Sequence, residues 1–214
     1  MDNEKRCGIK MKKTTKKITG VLVLMVCVAA IVIAGFYFIS KQDKEKAEDP
    51  LQPTTEVEKL LKKDLESNYP ETPAEVVKMY WRFNKCMYNT SLEDKDFEGL
   101  LKQLRLMYDE EFLAAEDNSW DNMLKNFKKD KEVYESDKKT ISNYNVEPNS
   151  EVKYGEVNGK ECATVVSATL IKKKSEREMV YEKFMCRKDS KGEWKILGWS
   201  ITKDKDDIAA VTAN

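Results

Sequence analysis

The chain has 214 residues, 36% of them charged, yet its 38 basic and 38 acidic residues cancel. That length holds one ordinary domain plus a tail. The complete lack of histidine excludes Ser/His/Asp and Cys/His catalysis and removes the usual ligand of catalytic zinc.

The charge balance hides an asymmetry. Residues 1–17 carry Lys5, Arg6, Lys10, Lys12, Lys13, Lys16 and Lys17 against Asp2 and Glu4, a net +5, and the stretch beyond residue 39 is left at −5. A basic face for nucleic acid is therefore not expected in the folded part. Between these regions Ile18 to Ile39, "ITGVLVLMVCVAAIVIAGFYFI", carries no charge. At the helical rise it spans about 33 Å, matching a hydrocarbon core of about 30 Å. It is expected to cross a lipid bilayer, with a cytoplasmic tail at 1–17 and everything after Ser40 outside, by the positive-inside rule. A cleaved signal peptide has a shorter apolar part, about 7–15 residues. Bulky Met25 and Val26 before Cys27 argue against lipoprotein processing.

Residues 40–68 read as a charged, proline-bearing linker containing a short amphipathic helix. Thr55 and Glu58 offer a capping box, and Val57, Leu60, Leu61 and Leu65 lie at helical spacing. In the domain proper, expected over 69–203, Thr72, Pro73 and Glu75 start a stronger helix with Val76, Val77, Tyr80, Phe83, Asn84 and Met87 on one face. A second helix runs through Phe97, Leu100, Leu101, Leu104, Met107 and Tyr108, with "EEFLAAE" extending or following it. Ser119 caps a third, which carries Trp120, Met123, Leu124 and Phe127. From Lys139 the period changes, and "TISNYNVE", "EVKYGEV", "ECATVVSATLIKK", "REMVYEKFMCRKD" and "EWKILGWSITK" read as strands. Asn158-Gly159 is a hairpin turn and "DSKG" another. Helices and then a meander give an α+β class, helices packed on an antiparallel sheet, with 204–214 as a tail.

This element order, ending in "GEWKILGWSI", resembles the nuclear transport factor 2-like fold over roughly residues 70–203. That resemblance implies a curved sheet wrapped on helices into a cone. The apolar run, the linker, "EVEKLLKKDLESNYPETPAEVVKMYWR", "ISNYNV", "VKYGEVNGKECA" and "EWKILGW" are similar to a family of bacterial single-pass membrane proteins of unknown function. The likeness implies topology and fold and brings no catalytic residues with it.

Several residue sets could carry function. Cys162 and Cys186 lie symmetrically about Lys174, so a hairpin centred there would set them opposite each other as a candidate disulfide; the alternative is buried free thiols. Tyr80, Trp81, Trp120, Tyr181, Trp194 and Trp199 are candidate pocket or interface aromatics, with plain core packing as the alternative. On the closing strand the two-residue period puts Trp194, Ile196, Gly198 and Ser200 on one face and Lys195, Leu197, Trp199 and Ile201 on the other. Only one of the two tryptophans is then expected to face the interior. No CxxC pair and no glycine-rich phosphate loop occurs, so neither a metal nor a cofactor is expected.

Two classes of function remain open. One is a non-catalytic, membrane-tethered module for protein assembly or capture of a small apolar ligand at the cell envelope, including a scaffold role in a conjugation or secretion apparatus. The other is an isomerase, dehydratase or hydrolase that uses a tyrosine and one of Asp109, Glu110, Glu111, Glu161, Glu178 or Glu182 in an apolar cavity. A closed pocket with an acid at its floor would favour the enzyme. A cone filled by tryptophan and methionine would exclude it.

Overall fold

In the computed structural model, residues 55–212 are described. The basic tail, the apolar run at 18–39 and most of the linker lie outside the described residues. Among the described residues no helix is long and apolar enough to cross a membrane.

Helix α1 (Glu56–Leu61) begins where Thr55 Oγ1 accepts the Glu58 N–H at 3.2 Å. Helix α2 (Pro73–Asn89) carries the complete capping box, with Thr72 and Glu75 each satisfying the other's backbone and Pro73 at the first helical position. Its buried stripe of Val76, Val77, Tyr80, Phe83 and Met87 forms the spine of the core. Helix α3 (Asp94–Arg105) buries Phe97, Leu100, Leu101 and Leu104. A Cβ on Gly99 would come within 2.6 Å of Leu61 Cδ2, so the absent side chain lets α1 lie close to α3. The short helix α4 (Glu110–Ala114), a 3-10 turn (Glu116–Asn118) and α5 (Trp120–Ser136) complete the helical half. The Lys131 ammonium donates to Tyr88 O and Thr90 O, closing the carbonyl end of α2.

Strands β1 (Lys139–Val146), β2 (Lys153–Val157), β3 (Lys160–Lys173), β4 (Glu176–Lys188) and β5 (Trp194–Ile201) form one antiparallel sheet in the order β1-β3-β4-β5, with β2 also paired to β3. β1 pairs with residues 167–173 of β3 and β2 with residues 160–164, so the two lie end to end along one edge. At the break between them Glu147 substitutes for a ladder residue: its N–H donates to Val166 O, and its Oε1 accepts from Val166 N at 2.9 Å. The Asn158-Gly159 turn has φ of 53° and 75°, the positive pair that a two-residue hairpin requires.

One face of the sheet, here the inner face, packs against α2 and carries Ala163, Val165, Ser167, Phe184 and Cys186. The opposite face carries Val166 and Ala168. It is covered by a helix where the sequence predicts only a tail: α6 (Lys205–Thr212) sets Val211 against Val166 and Ala168, with Tyr181 packed beside them. Asp204 starts this helix by accepting the Asp206 N–H at 2.8 Å, and the buried Asp207 holds it down by accepting from Lys183 Nζ at 2.7 Å and Thr202 Oγ1 at 2.8 Å. β3 is therefore buried on both faces, which explains why Cys162 to Ile171 carries no charge and is mostly apolar.

Two register expectations are corrected. The β3–β4 hairpin turns on the pair Lys174-Ser175, with φ +55° at Lys174, instead of on Lys174 alone. Everything shifts by one residue: Cys162 faces Arg187, Cys186 faces Ala163, and both thiols are free. Neighbouring positions on a strand point to opposite faces, so no Cys162–Cys186 disulfide forms. Burial, and secondarily the nearby Cys162, pushes the Cys186 thiol up to about 12. The second correction concerns β5. A bulge falls where Cys186 pairs with Ile196 but Met185 pairs with Gly198, leaving Leu197 as the extra residue. Trp194 opposite Lys188 and Trp199 opposite Phe184 consequently lie on the same, inner, face.

The free edge of β1 is closed by a side chain in place of a strand. Asn89 donates its amide to Ile141 O at 2.8 Å and accepts the Ile141 N–H at 2.9 Å. Replacing Asn89 by alanine removes both bonds at a part-buried site. The variant is expected to lose about 2 kcal/mol in urea unfolding of the full-length chain. A loss under a few tenths would mean that water satisfies Ile141 equally well.

Candidate functional site

The inner face is not uniformly apolar. Much of the core is filled by Trp81, Met87, Met107 and Phe83, all buried. The Trp81 indole N–H donates to Ser167 Oγ at 3.0 Å, fixing α2 to the middle of β3. At the β4–β5 end three polar side chains bring atoms into the interior without a hydrogen-bond partner: Glu182 Oε2, Thr169 Oγ1 and the Tyr108 hydroxyl. Glu182 stands opposite Ser167 on β3 and Ile201 on β5, and Thr169 opposite Val180, so Glu182 and Thr169 are diagonal neighbours on one face. Leaving such an atom unpaired costs about 1–3 kcal/mol.

Aromatic rings wall this end. Tyr80 meets Phe184 at 5.1 Å, Trp199 at 5.5 Å and Tyr108 at 6.4 Å between centroids. Trp199 stacks on Phe184 and on Tyr108 and also touches Phe112. Trp199 is 37% exposed and Ile201 69%, so the end opens to solvent along β5.

The part-buried Glu182 side chain has no hydrogen-bond partner at its buried Oε2. Burial alone raises its carboxyl to about 7. Its charge is felt by two phenols: burial first, and then the charges of Tyr108 and Glu182, hold Tyr80 well above the ordinary tyrosine range, and Tyr134 on α5 is raised by burial and then by Glu182. No group of three His, Cys, Asp or Glu that could hold a metal occurs among the described residues.

The residues singled out from the sequence are dispersed. Tyr80 and Trp199 line the polar end, and Trp81 lies beside it on Ser167. Trp194 is at the far end of β5, edge-on to Tyr154 and under Lys188. Trp120 lies under Lys102 at the start of α5, and Tyr181 is on the outer face beside α6. Among the acids, Asp109 is gripped by the Arg187 guanidinium through both Nε and Nη2, and Glu111 by Nη1 of the same group. Glu161 pairs with Lys188. The sequence pattern puts Tyr108 on the apolar face of the second helix, which ends at Arg105, and gives Thr169 no role. Nothing in a helix-end tyrosine or a strand threonine signals an unpaired buried hydroxyl.

The surface clefts lie elsewhere. Three of about 560, 620 and 410 Å³ adjoin one another between α2 and β1, sharing Tyr144 and lined in part by Lys78, Arg82 and Lys85. Arg82 there is committed to a two-point ion pair with Glu56, at 2.6 and 3.2 Å. Another of about 510 Å³ is lined by Asp109, Glu110, Glu161 and Lys188.

Glu182 yields a stability prediction with a definite sign. Its carboxyl titrates near 7 when folded and near the ordinary value of about 4.3 when unfolded. As pH rises the unfolded chain ionises first, so stability is lost between about pH 4.3 and 7, and the deficit is constant above that. Glu182→Gln is expected to stabilise the chain at pH 8 by about 1–3 kcal/mol and to change little at pH 4. Urea midpoints at the two pH values test this, and equal effects at both would show that the carboxyl is not desolvated.

No curated protein matches the chain. The match to a family runs over residues 11–199 and takes in both the apolar run and nearly all of the described fold. On that extent the chain belongs to the family described as Domain of unknown function (DUF6715).

Proposed function

We propose that this protein is a membrane-tethered ligand-binding module of the bacterial cell envelope. The 18–39 run is the anchor, with its basic end in the cytoplasm, and the described domain lies outside. The domain takes a small, largely apolar molecule into a nuclear transport factor 2-like cone, whose interior is the face between the sheet and helices α2 and α5. One observation carries the reading: three buried polar atoms, on Glu182, Thr169 and Tyr108, lack partners on a single aromatic-walled face that reaches solvent at Trp199. A ligand with an apolar body and one polar group would satisfy both features. The anchor reading is supported by the length of the uncharged run and by a family match that starts at residue 11 and so includes that run.

Two experiments test the two halves. Native mass spectrometry of the full-length chain released from detergent is expected to show a reproducible small added mass, reduced in Trp199→Ala. A bare mass in both proteins would overturn ligand capture and turn attention to protein partners. If the bound molecule is chemically altered on incubation, the site is an enzyme's, with Glu182 and Tyr80 as its acid/base candidates. Alkaline carbonate washing of membranes is expected to leave the chain in the pellet, with the domain open to protease on intact cells. Release into the supernatant would remove the anchor.

A further inference from the structure

The ligand-binding reading leaves the chemical class of the ligand open, and the surroundings of Glu182 narrow it. Elsewhere in the domain each buried acid is answered. Asp207 has Lys183 and Thr202, Asp109 has Arg187, and Glu147 has the Val166 N–H. Glu182 faces no cation. The phenols of Tyr80 on α2 and Tyr134 on α5 are within reach of its charge, Ser167 stands opposite on β3, and on β5 Ile201 stands opposite with Trp199 on the diagonal. Glu178, further along the same face of β4, is also acidic, and its charge also raises Tyr134. The groups facing the carboxyl are thus neutral or negative.

A single acid without a counter-ion, set among ring faces, is complementary to a positive charge that brings little hydration with it. Aromatic rings attract an organic ammonium through their quadrupole, by about 0.5–2 kcal/mol each depending on desolvation. A carboxylate beside them supplies the net charge. Anions are disfavoured by the same surroundings, and the −5 carried by the chain beyond residue 39 favours approach of cations over a longer range. A metal ion is a poor fit, because a lone carboxylate supplies too few ligands.

We infer that the β4–β5 end of the inner face binds a small organic cation, its ammonium seated between the Glu182 carboxylate and the rings of Trp199 and Tyr80. This inference rests on the ligand-binding reading above. Thr169 and Tyr108, with hydroxyls free to donate or accept, then take a hydroxyl or carbonyl on the rest of the molecule. Because the carboxyl titrates near 7, binding of the cation is coupled to loss of its proton and strengthens as pH rises through neutrality.

Three probes of nearly equal shape separate the alternatives: choline, its uncharged isostere 3,3-dimethyl-1-butanol, and the anion 3,3-dimethylbutanoate. The full-length chain, labelled with 5-fluorotryptophan at its four tryptophans, reports each titration through the fluorine resonance of Trp199. At pH 8.5 choline is expected to bind at least about tenfold more tightly than the alcohol, with the anion weakest. Choline binding should weaken about tenfold or more by pH 5.5, while the alcohol changes little. Glu182→Gln should abolish both the preference and the pH dependence, with the resonance of Trp120, which lies under Lys102 at the start of α5, unmoved as evidence of an intact fold. The wild-type pH series tests the same point without any variant. If the alcohol or the anion binds as tightly as choline at pH 8.5, the cation inference is overturned while ligand binding stands. If none of the three shifts Trp199, the inference falls, and the ligand-binding reading falls with it only where native mass spectrometry also finds a bare chain.

Discussion

A single extra residue in β5 governs the interior of this domain. Side chains alternate along a strand, so an insertion of one residue exchanges the faces of everything beyond it. Before Leu197 the pairs are Trp194 with Lys188 and Ile196 with Cys186; after it they are Gly198 with Met185 and Trp199 with Phe184. In an unbroken strand Trp199 would point away from the helices, and the inner face would lose the ring that stacks on both Phe184 and Tyr108. The chain beside β5 is fixed at the same place. Ile196 exchanges hydrogen bonds with Met107 O and the Asp109 N–H, and Arg187 holds Asp109 from β4. The bulge thereby decides where Trp199 points, and the bridge beside it decides where Tyr108 sits.

The electrostatics of the interior keep a consistent pattern with one departure. Burying a carboxylate is costly unless it is paired or hydrogen-bonded. Asp109, Glu147 and Asp207 obey that rule, each with a donor within 3.0 Å. Glu182 is only part-buried, yet its buried Oε2 has no donor, and burial holds its proton to about pH 7. A glutamine at this position would avoid the cost and keep the shape. A carboxyl perturbed by burial on an aromatic-walled face is what singles Glu182 out as a candidate functional group.

Much of the framework was legible because local chemistry dictated it. The Thr72-Pro73-Glu75 start of α2, the positive-φ Asn-Gly turn, and the change of period at Lys139 are each set by neighbours in sequence. What was not legible depended on counting across space. The Cys162–Cys186 expectation failed by one residue because a turn on Lys174-Ser175 and a turn on Lys174 alone look alike in sequence. Leu197 reads as an ordinary strand residue, and only pairing with β4 reveals that it is skipped. Residues 204–214 carry too little apolar surface to announce a helix, and α6 exists because Val211 finds Val166 and Ala168. Glu182 was one of many acids, and nothing in its neighbours along the chain separates it from Glu178. Its isolation is a property of the face it shares.

The two faces of the sheet are coupled where they meet at the end of β5. Ile201, on the exposed rim of the inner face, leads directly into Thr202, whose N–H donates to Tyr181 O and whose hydroxyl donates to Asp207 in the first turn of α6. The rim is therefore tied to the ion pair of Asp207 with Lys183 on the outer face, although that pair lies outside the candidate site. Lys183 and Glu182 are adjacent on β4 and point to opposite sides. On one side the strand uses a charge to hold α6 in place, and on the other it leaves a charge unanswered. Because the answered pair fixes the end of β5, Trp199 and Ile201 can stay partly exposed in defined positions, which a binding face needs and a loose strand end would not provide.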